Sequence, residues 1–305
     1  MARSPLFFRH QPGGVFHVDN TVMTVGNIWY VDSAAAGKGV TSAYGYNPDA
    51  PFSTVAAALD SGNLASGDIV LVAAGHTESI TAAAGWDCDT AGIKIKGMGE
   101  NDLRPTITLS TANTADIDID AANVTFENLV FVANFLDIAA AIDVNADGFT
   151  ARRCEFRDTS TILCATIWIL GATGTTSDRI VVEQCEFYQP GAANTHAISL
   201  PGTSDRCRIN DNFIAGFFET AAIGAAGAVT QIQIMRNFIQ NTDTDADACI
   251  SLAASSTGVV AYNNVGAALD ADDTTNINCS TGVVLIENYS VDTGDRQGVL
   301  DPVAT

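Results

Sequence analysis

A nine-residue phrase returns seven times along this chain, and no other feature restricts the fold so tightly: "NVTFENLVF" from Asn123, "GFTARRCEF" from Gly148, "RIVVEQCEF" from Arg179, "RCRINDNFI" from Arg206, "QIQIMRNFI" from Gln231, "GVVAYNNVG" from Gly258 and "GVVLIENYS" from Gly282. Its second place holds Val124, Phe149, Ile180, Cys207, Ile232, Val259 and Val283, and its fourth Phe126, Ala151, Val182, Ile209, Ile234, Ala261 and Leu285. Alternate residues therefore face one apolar side, as in a strand. Each phrase has a companion strand, seen at Ile117/Ile119, Ile142/Val144, Ile167/Ile169, Ile198/Leu200, Ile223/Ala225, Ile250/Leu252 and Ile277/Cys279, whose starts lie 25, 25, 31, 25, 27 and 27 residues apart.

Short strands at such a spacing also suit an antiparallel sandwich or a propeller. In those folds neighbouring strands alternate in direction and role, whereas here every unit repeats the order strand, Gly/Asn/Asp turn, strand. Equivalent residues should then stack in parallel at about 4.8 Å. The expected fold is all-β: a single-stranded, right-handed parallel β-helix, with its hand taken from the crossover preference. The seventh place of the phrase, Leu129, Cys154, Cys185, Asn212, Asn237, Asn264 and Asn288, marks an inward position at a bend. Asparagines stacked there can hydrogen-bond the turn backbone above and below, and a cysteine fits the same small slot.

A chain of 305 residues with 47% hydrophobic content has ample material for a core. Its formal net charge of -21 repels phosphate backbones and anionic membranes, so neither nucleic acid nor membrane is an expected partner. No apolar run reaches the roughly 18 residues of a membrane span, and the first residues lack the apolar stretch of a secretory signal. Seven dispersed cysteines without a C-x-x-C pair read as reduced, mostly buried hydrophobes.

The opening "NIWYVDSAAAGKG", "NPDAPFSTVAAALDSG", "GDIVLVAAGHTESI" and "IKIKGMGENDLRPTITL" resembles the start of the pectate-lyase-like right-handed β-helix superfamily over residues 27–110. The resemblance implies a short capping helix at Pro51, Phe52, Thr54, Ala58 and Leu59. Its members include lyases, hydrolases, phage tail spikes and inert virion proteins, so it carries architecture better than chemistry. The expected organisation is an arm over 1–26, a cap over 27–66, the coil over 67–290 and a tail over 291–305.

Polysaccharide cleavage needs paired carboxylates, or calcium with a basic residue. Asp243, Asp245, Asp247, Asp270, Asp272 and Asp273 are candidates, and Asn241-Thr242-Asp243 matches one fragment of the polygalacturonase signature, but its Gly-His-Gly and Arg-Ile-Lys elements are missing. Both acidic runs read as solvated loops. The 243–247 run lacks the Gly and the twelfth-place Glu of an EF-hand. "DIDID" places Asp116, Asp118 and Asp120 on one outer face, with Lys94 and Lys96 as expected cross-turn partners. Arg104-Pro105 lacks the partners of the pectate-lyase Arg-x-Pro-x-x-Arg pattern, and His10, His17, His76 and His196 read as structural. The expectation is no catalytic set, no cofactor and no metal.

Outward positions are rich in small residues, as in "GAAGAV" from Gly224 and "SLAASSTG" from Ser251, and Trp168 reads as an outward contact for a neighbouring subunit or a sugar. Phe7, Phe8, Arg9 and Phe16, among prolines and glycines, read as a docking arm. Together these features lead to a non-enzymatic phage virion protein, a homotrimer decorating or cementing the head by binding the major capsid protein or another shell protein. A tail spike or fibre that binds or cleaves glycans, and a free polysaccharide lyase or hydrolase, are the alternatives.

Overall fold

The structure, a computed structural model, describes residues 7–8, 17–18, 26–173, 177–192, 194–243, 248–267, 276–291 and 299–300. Three parallel sheets run along one axis. The first has ten strands, from Ile28–Val31 and Ile69–Val72 to Val283–Ile286; the second has ten, from Thr77–Ile80 to Asn288–Val291 with Val299–Leu300 added antiparallel; the third has eight, from Trp86–Asp87 to Ile277–Asn278. Each turn of chain visits the three sheets in order, giving a parallel β-solenoid of about eight turns. Among the described residues no helix is long and apolar enough to cross a membrane.

The repeated phrase is two strands rather than one. Its sixth place, or the fifth in the phrase from Gly258, is a non-glycine residue in the left-handed region: Asn128, Arg153, Gln184, Asp211, Arg236, Tyr262 and Glu287, with φ from 44° to 59°. That conformation turns the chain from the first sheet into the second within one residue. The seventh place then points inward, and the ladder begins there.

The Asn212 Oδ1 accepts from the Cys185 N–H at 2.9 Å, while its Nδ2 donates to Val182 O and to Asn237 Oδ1. Asn237 repeats the pattern one rung on, donating to Ile209 O and Asn263 Oδ1. Asn263 donates to Ile234 O and Asn288 Oδ1, and Asn288 ends the run on Val260 O. Cys185 and Cys154 occupy the slot above, their thiols directed at Ala151 O and Phe126 O. Asn263, not the expected Asn264, holds the place in that rung. Ile234 pairs with Val260 and Val260 with Leu285, so the sequence alignment there was one residue out of step, and Asn264 faces solvent at the start of the strand Asn264–Ala267.

Fourth-place side chains form an in-register column, Phe126, Ala151, Val182, Ile209, Ile234 and Val260, every one buried. Beside it Phe131, Phe156 and Phe187 stack through the core, with centroids 5.2 and 4.5 Å apart. Six of the seven cysteines are buried and all are free thiols.

The helix Val55–Leu59 caps the first turn, as the resemblance implied. Thr54 Oγ1 accepts from Ala57 N, and the buried Glu78 carboxylate accepts from Val55 N at 2.7 Å and Ala56 N at 3.1 Å. Glu78 also accepts from Trp86 Nε1. His76 Nδ1 accepts from Ser33 N, which leaves the proton on Nε2 facing Glu78 at 3.2 Å, so this histidine serves the cap. In the arm, Phe7–Phe8 pairs antiparallel with His17–Val18 in a separate two-stranded sheet, whereas Arg9 and Phe16 lie outside the described residues.

Candidate functional site

The outer face of the third sheet opens with acidic residues. Asp87, Asp118 and Asp143 stack in register, and Leu170 follows them. One oxygen each from Asp116, Asp118 and Asp143 lies within 4.8 Å of the others. Burial, added to the charges of Asp116, Asp120, Asp143 and Asp87, pushes Asp118 up to about 6; burial with Asp116 and Asp120 does the same for Asp143. The expected partners are elsewhere: Lys94 and Lys96 lie on the first sheet and both meet Glu127 at 3.5 Å. Glu127 is half-desolvated, which alone would raise it, but Lys96, Lys94 and Arg153 together hold it below the usual carboxylate range. Sequence order put the lysines near "DIDID", while the solenoid turn put them on different faces.

Other candidates from the sequence are also relocated. Trp168 is fully buried and packs on Phe156, with centroids 5.5 Å apart. The reason is a break in alternation: Trp168 and Ile169 both turn inward where the strand Ile167–Gly171 follows the curve of the coil. Asp243 is buried rather than solvated, its N–H donating to Asn241 Oδ1, while Asn241 bridges Phe218 N and Phe218 O. Asp245, Asp247, Asp270, Asp272 and Asp273 lie outside the described residues. His196 is mostly buried, and that burial pushes it down to about 4, so it is neutral. Burial lifts the thiols of Cys207, Cys249 and Cys279 to about 11, 12 and 12, which removes them as nucleophiles.

Four exposed aromatic groups, Tyr188, Phe213, Phe238 and Tyr289, are on the second sheet. From Glu155 onward, the residue after the ladder position faces out and the next one faces in. Glu155, Glu186, Phe213, Phe238, Asn264 and Tyr289 thereby form one outward column in register. Phe213 and Phe238 are 46% and 42% exposed, and their rings stack at 5.3 Å with planes 2° apart. A second outward column runs beside it as Arg157, Tyr188, Ala215, Gln240 and Gly266, and Tyr188 is 60% exposed. Arg157 and Arg104 both reach Glu155, at 3.2 and 3.3 Å. The face therefore offers flat apolar rings bordered by carboxylates, a guanidinium and an amide, along about 24 Å if each of five rung spacings is roughly 4.8 Å.

Two depressions are among those on the surface, one beside this face and one at the end of the third sheet. A polar cleft of about 340 Å³ is lined by Arg104, Asn128, Arg153, Cys154 and Glu186 among others. Arg104 fills its side wall, donating through Nη2 to Leu129 O and Arg153 O. A shallow groove of about 630 Å³ lies among Ser251, Ala253, Asn278 and Thr281, the small-residue surface expected from the sequence.

No family model matches the chain, and no curated protein matches it. Among solved structures it is similar to a GH136 lacto-N-biosidase from Eubacterium ramulus, with a TM-score of 0.42 and 11% identity over 87% of this chain and 68% of that one. The likeness is one of β-solenoid fold alone.

Proposed function

We propose that this protein is a glycan-binding rod whose binding surface is the outer face of the second sheet. The observation that carries the reading is the stacked, solvent-exposed pair Phe213–Phe238. Two phenyl rings left in water on a sheet whose core already holds a phenylalanine stack are poorly accounted for by stability. The ring faces not turned toward each other are electron-rich and suit the axial C–H groups of pyranose rings, while Glu186 and Gln240 beside them can bond ring hydroxyls. A net charge of -21 makes a neutral glycan the better ligand than an acidic one.

The reading is a non-catalytic one. Asp118 and Asp143, at about 6, fall in the range of a general acid. Burial and the neighbouring carboxylates account for both shifts without a catalytic role. The setting we propose is a phage virion, supported by the resemblance of residues 27–110 to the pectate-lyase-like superfamily, whose members include phage tail spikes and virion proteins. There the arm over 1–26 would tether a homotrimer to a shell or tail protein. An exposed aromatic face favours a spike or fibre over a head decoration, because a decoration needs no ligand surface along its shaft.

The test is binding to a panel of neutral polysaccharides, by affinity electrophoresis. The native protein should be retarded by at least one, and Phe213→Ala and Phe238→Ala should each weaken that retardation at least tenfold while leaving the thermal midpoint within a few °C. Retardation that persists unchanged in both variants would defeat the proposal.

A further inference from the structure

Beneath the aromatic face lies a polar cluster that glycan binding does not use. Asp158 and Gln189 end successive strands of the second sheet, Glu155–Asp158 and Glu186–Gln189, and both turn inward, 5% and 0% exposed. The Asp158 carboxylate accepts from Ala165 N at 3.1 Å and from Asn194 Nδ2 at 2.8 Å. The Trp168 indole also bears on it, without closing a hydrogen bond of good geometry. Burial pushes Asp158 up to about 7, against the pull of these donors.

Four fully enclosed atoms next to this carboxyl have no partner among the described residues: Trp168 Nε1, Gln189 Nε2, Gln189 Oε1 and Asn194 Oδ1. Trp168, Gln189 and Asn194 are each 0% exposed. In the next rung the place over Gln189 belongs to Gly216, so no side chain covers the amide from that direction. Native interiors rarely leave one such atom unpaired, and four around a single carboxyl point to a missing bonding partner.

We propose that this polar cluster is an internal water site, holding at least one ordered water between Gln189, Trp168 and Asn194. The unpaired set is two donors and two acceptors, which matches the tetrahedral capacity of water. A cation suits the set less well, since it would face the N–H groups of Gln189 and Trp168, and Asp158 already collects N–H donors. The water would bridge the second sheet to the loop around Asn194 and fix the strand ends directly behind Arg157 and Tyr188. It stands apart from the glycan reading and does not depend on it.

A crystal structure that resolves ordered solvent tests the site directly. The expected result is a density peak within hydrogen-bond distance of the Gln189 amide and Trp168 Nε1; the absence of such a peak overturns the proposal. Contacts of cation length, with a thermal midpoint that rises with sodium or calcium at fixed ionic strength, overturn it equally. Gln189→Met supplies a second readout, because removing a polar group that bonds water costs stability, whereas removing one that is merely orphaned gains it. The thermal midpoint should fall by a few °C, and an unchanged or raised midpoint contradicts the water.

Discussion

Asn237 sits in the middle of the ladder, accepting from Asn212 N and Nδ2 and donating to Ile209 O and Asn263 Oδ1. Asn237→Ala strands a buried N–H and a buried carbonyl, at a cost of about 2–3 kcal/mol. Asn264→Ala, one residue past the ladder and in solvent, should change stability by less than about 0.5 kcal/mol. Chemical denaturation of the two variants separates the positions, and equal losses would contradict the register. That asparagines of the phrase stack was legible in the sequence. Which of Asn263 and Asn264 does so was not, because Gly258 and Val259 both fit an apolar alternation and only the pairing of Val260 with Ile234 and Leu285 decides it. Trp168 was misplaced for a related reason: strict alternation fails where the backbone curves and sends two neighbours inward.

At the scale of the sheet, the outer faces divide the chemistry. The acidic column of the third sheet makes stability depend on pH. Asp118 and Asp143 titrate near 6 when folded and Asp158 near 7, against an ordinary 3.8, so the folded state holds protons that the unfolded state has released. Stability from these groups falls as pH rises from about 4 to between 6 and 7. His196, lowered from 6.5 to about 4, works in the opposite sense over nearly the same window, but it is one group against three. The thermal midpoint should therefore be higher at pH 5.5 than at pH 7.5, and Asp143→Asn should reduce the difference, as followed by circular dichroism in matched ionic strength. A midpoint that climbs steadily towards pH 7.5 would contradict this balance. The carboxylate face was visible in "DIDID", and its uncompensated state was not, since the separation of Lys94 and Lys96 depends on where each turn changes sheet. The aromatic face was equally within reach. "NFI" occurs in two phrases, and an inward seventh place requires an outward Phe213 and Phe238.

The whole molecule is a rod built by repetition, with a capped beginning and three outer faces of different character. Its period and its parallel stacking followed from apolar spacing and turn residues, because a solenoid uses the same local rule in every rung, whereas its capping helix was implied by the superfamily resemblance. That Phe213 and Phe238 would stack in one exposed column was not drawn from the sequence, where Trp168 took the role of outward aromatic. With its acidic balance, the rod presents stacked phenyl rings bordered by carboxylates, a guanidinium and an amide, which under the proposed function suits an uncharged chain lying along the axis. The most direct measurement is the crystal structure of the protein soaked with an oligosaccharide from whichever neutral polysaccharide retards it. A sugar ring should lie over Phe213 and Phe238 with a neighbouring unit near Tyr188 or Tyr289. Sugar bound instead against Asp118 and Asp143, with the phenyl pair bare, would contradict the account.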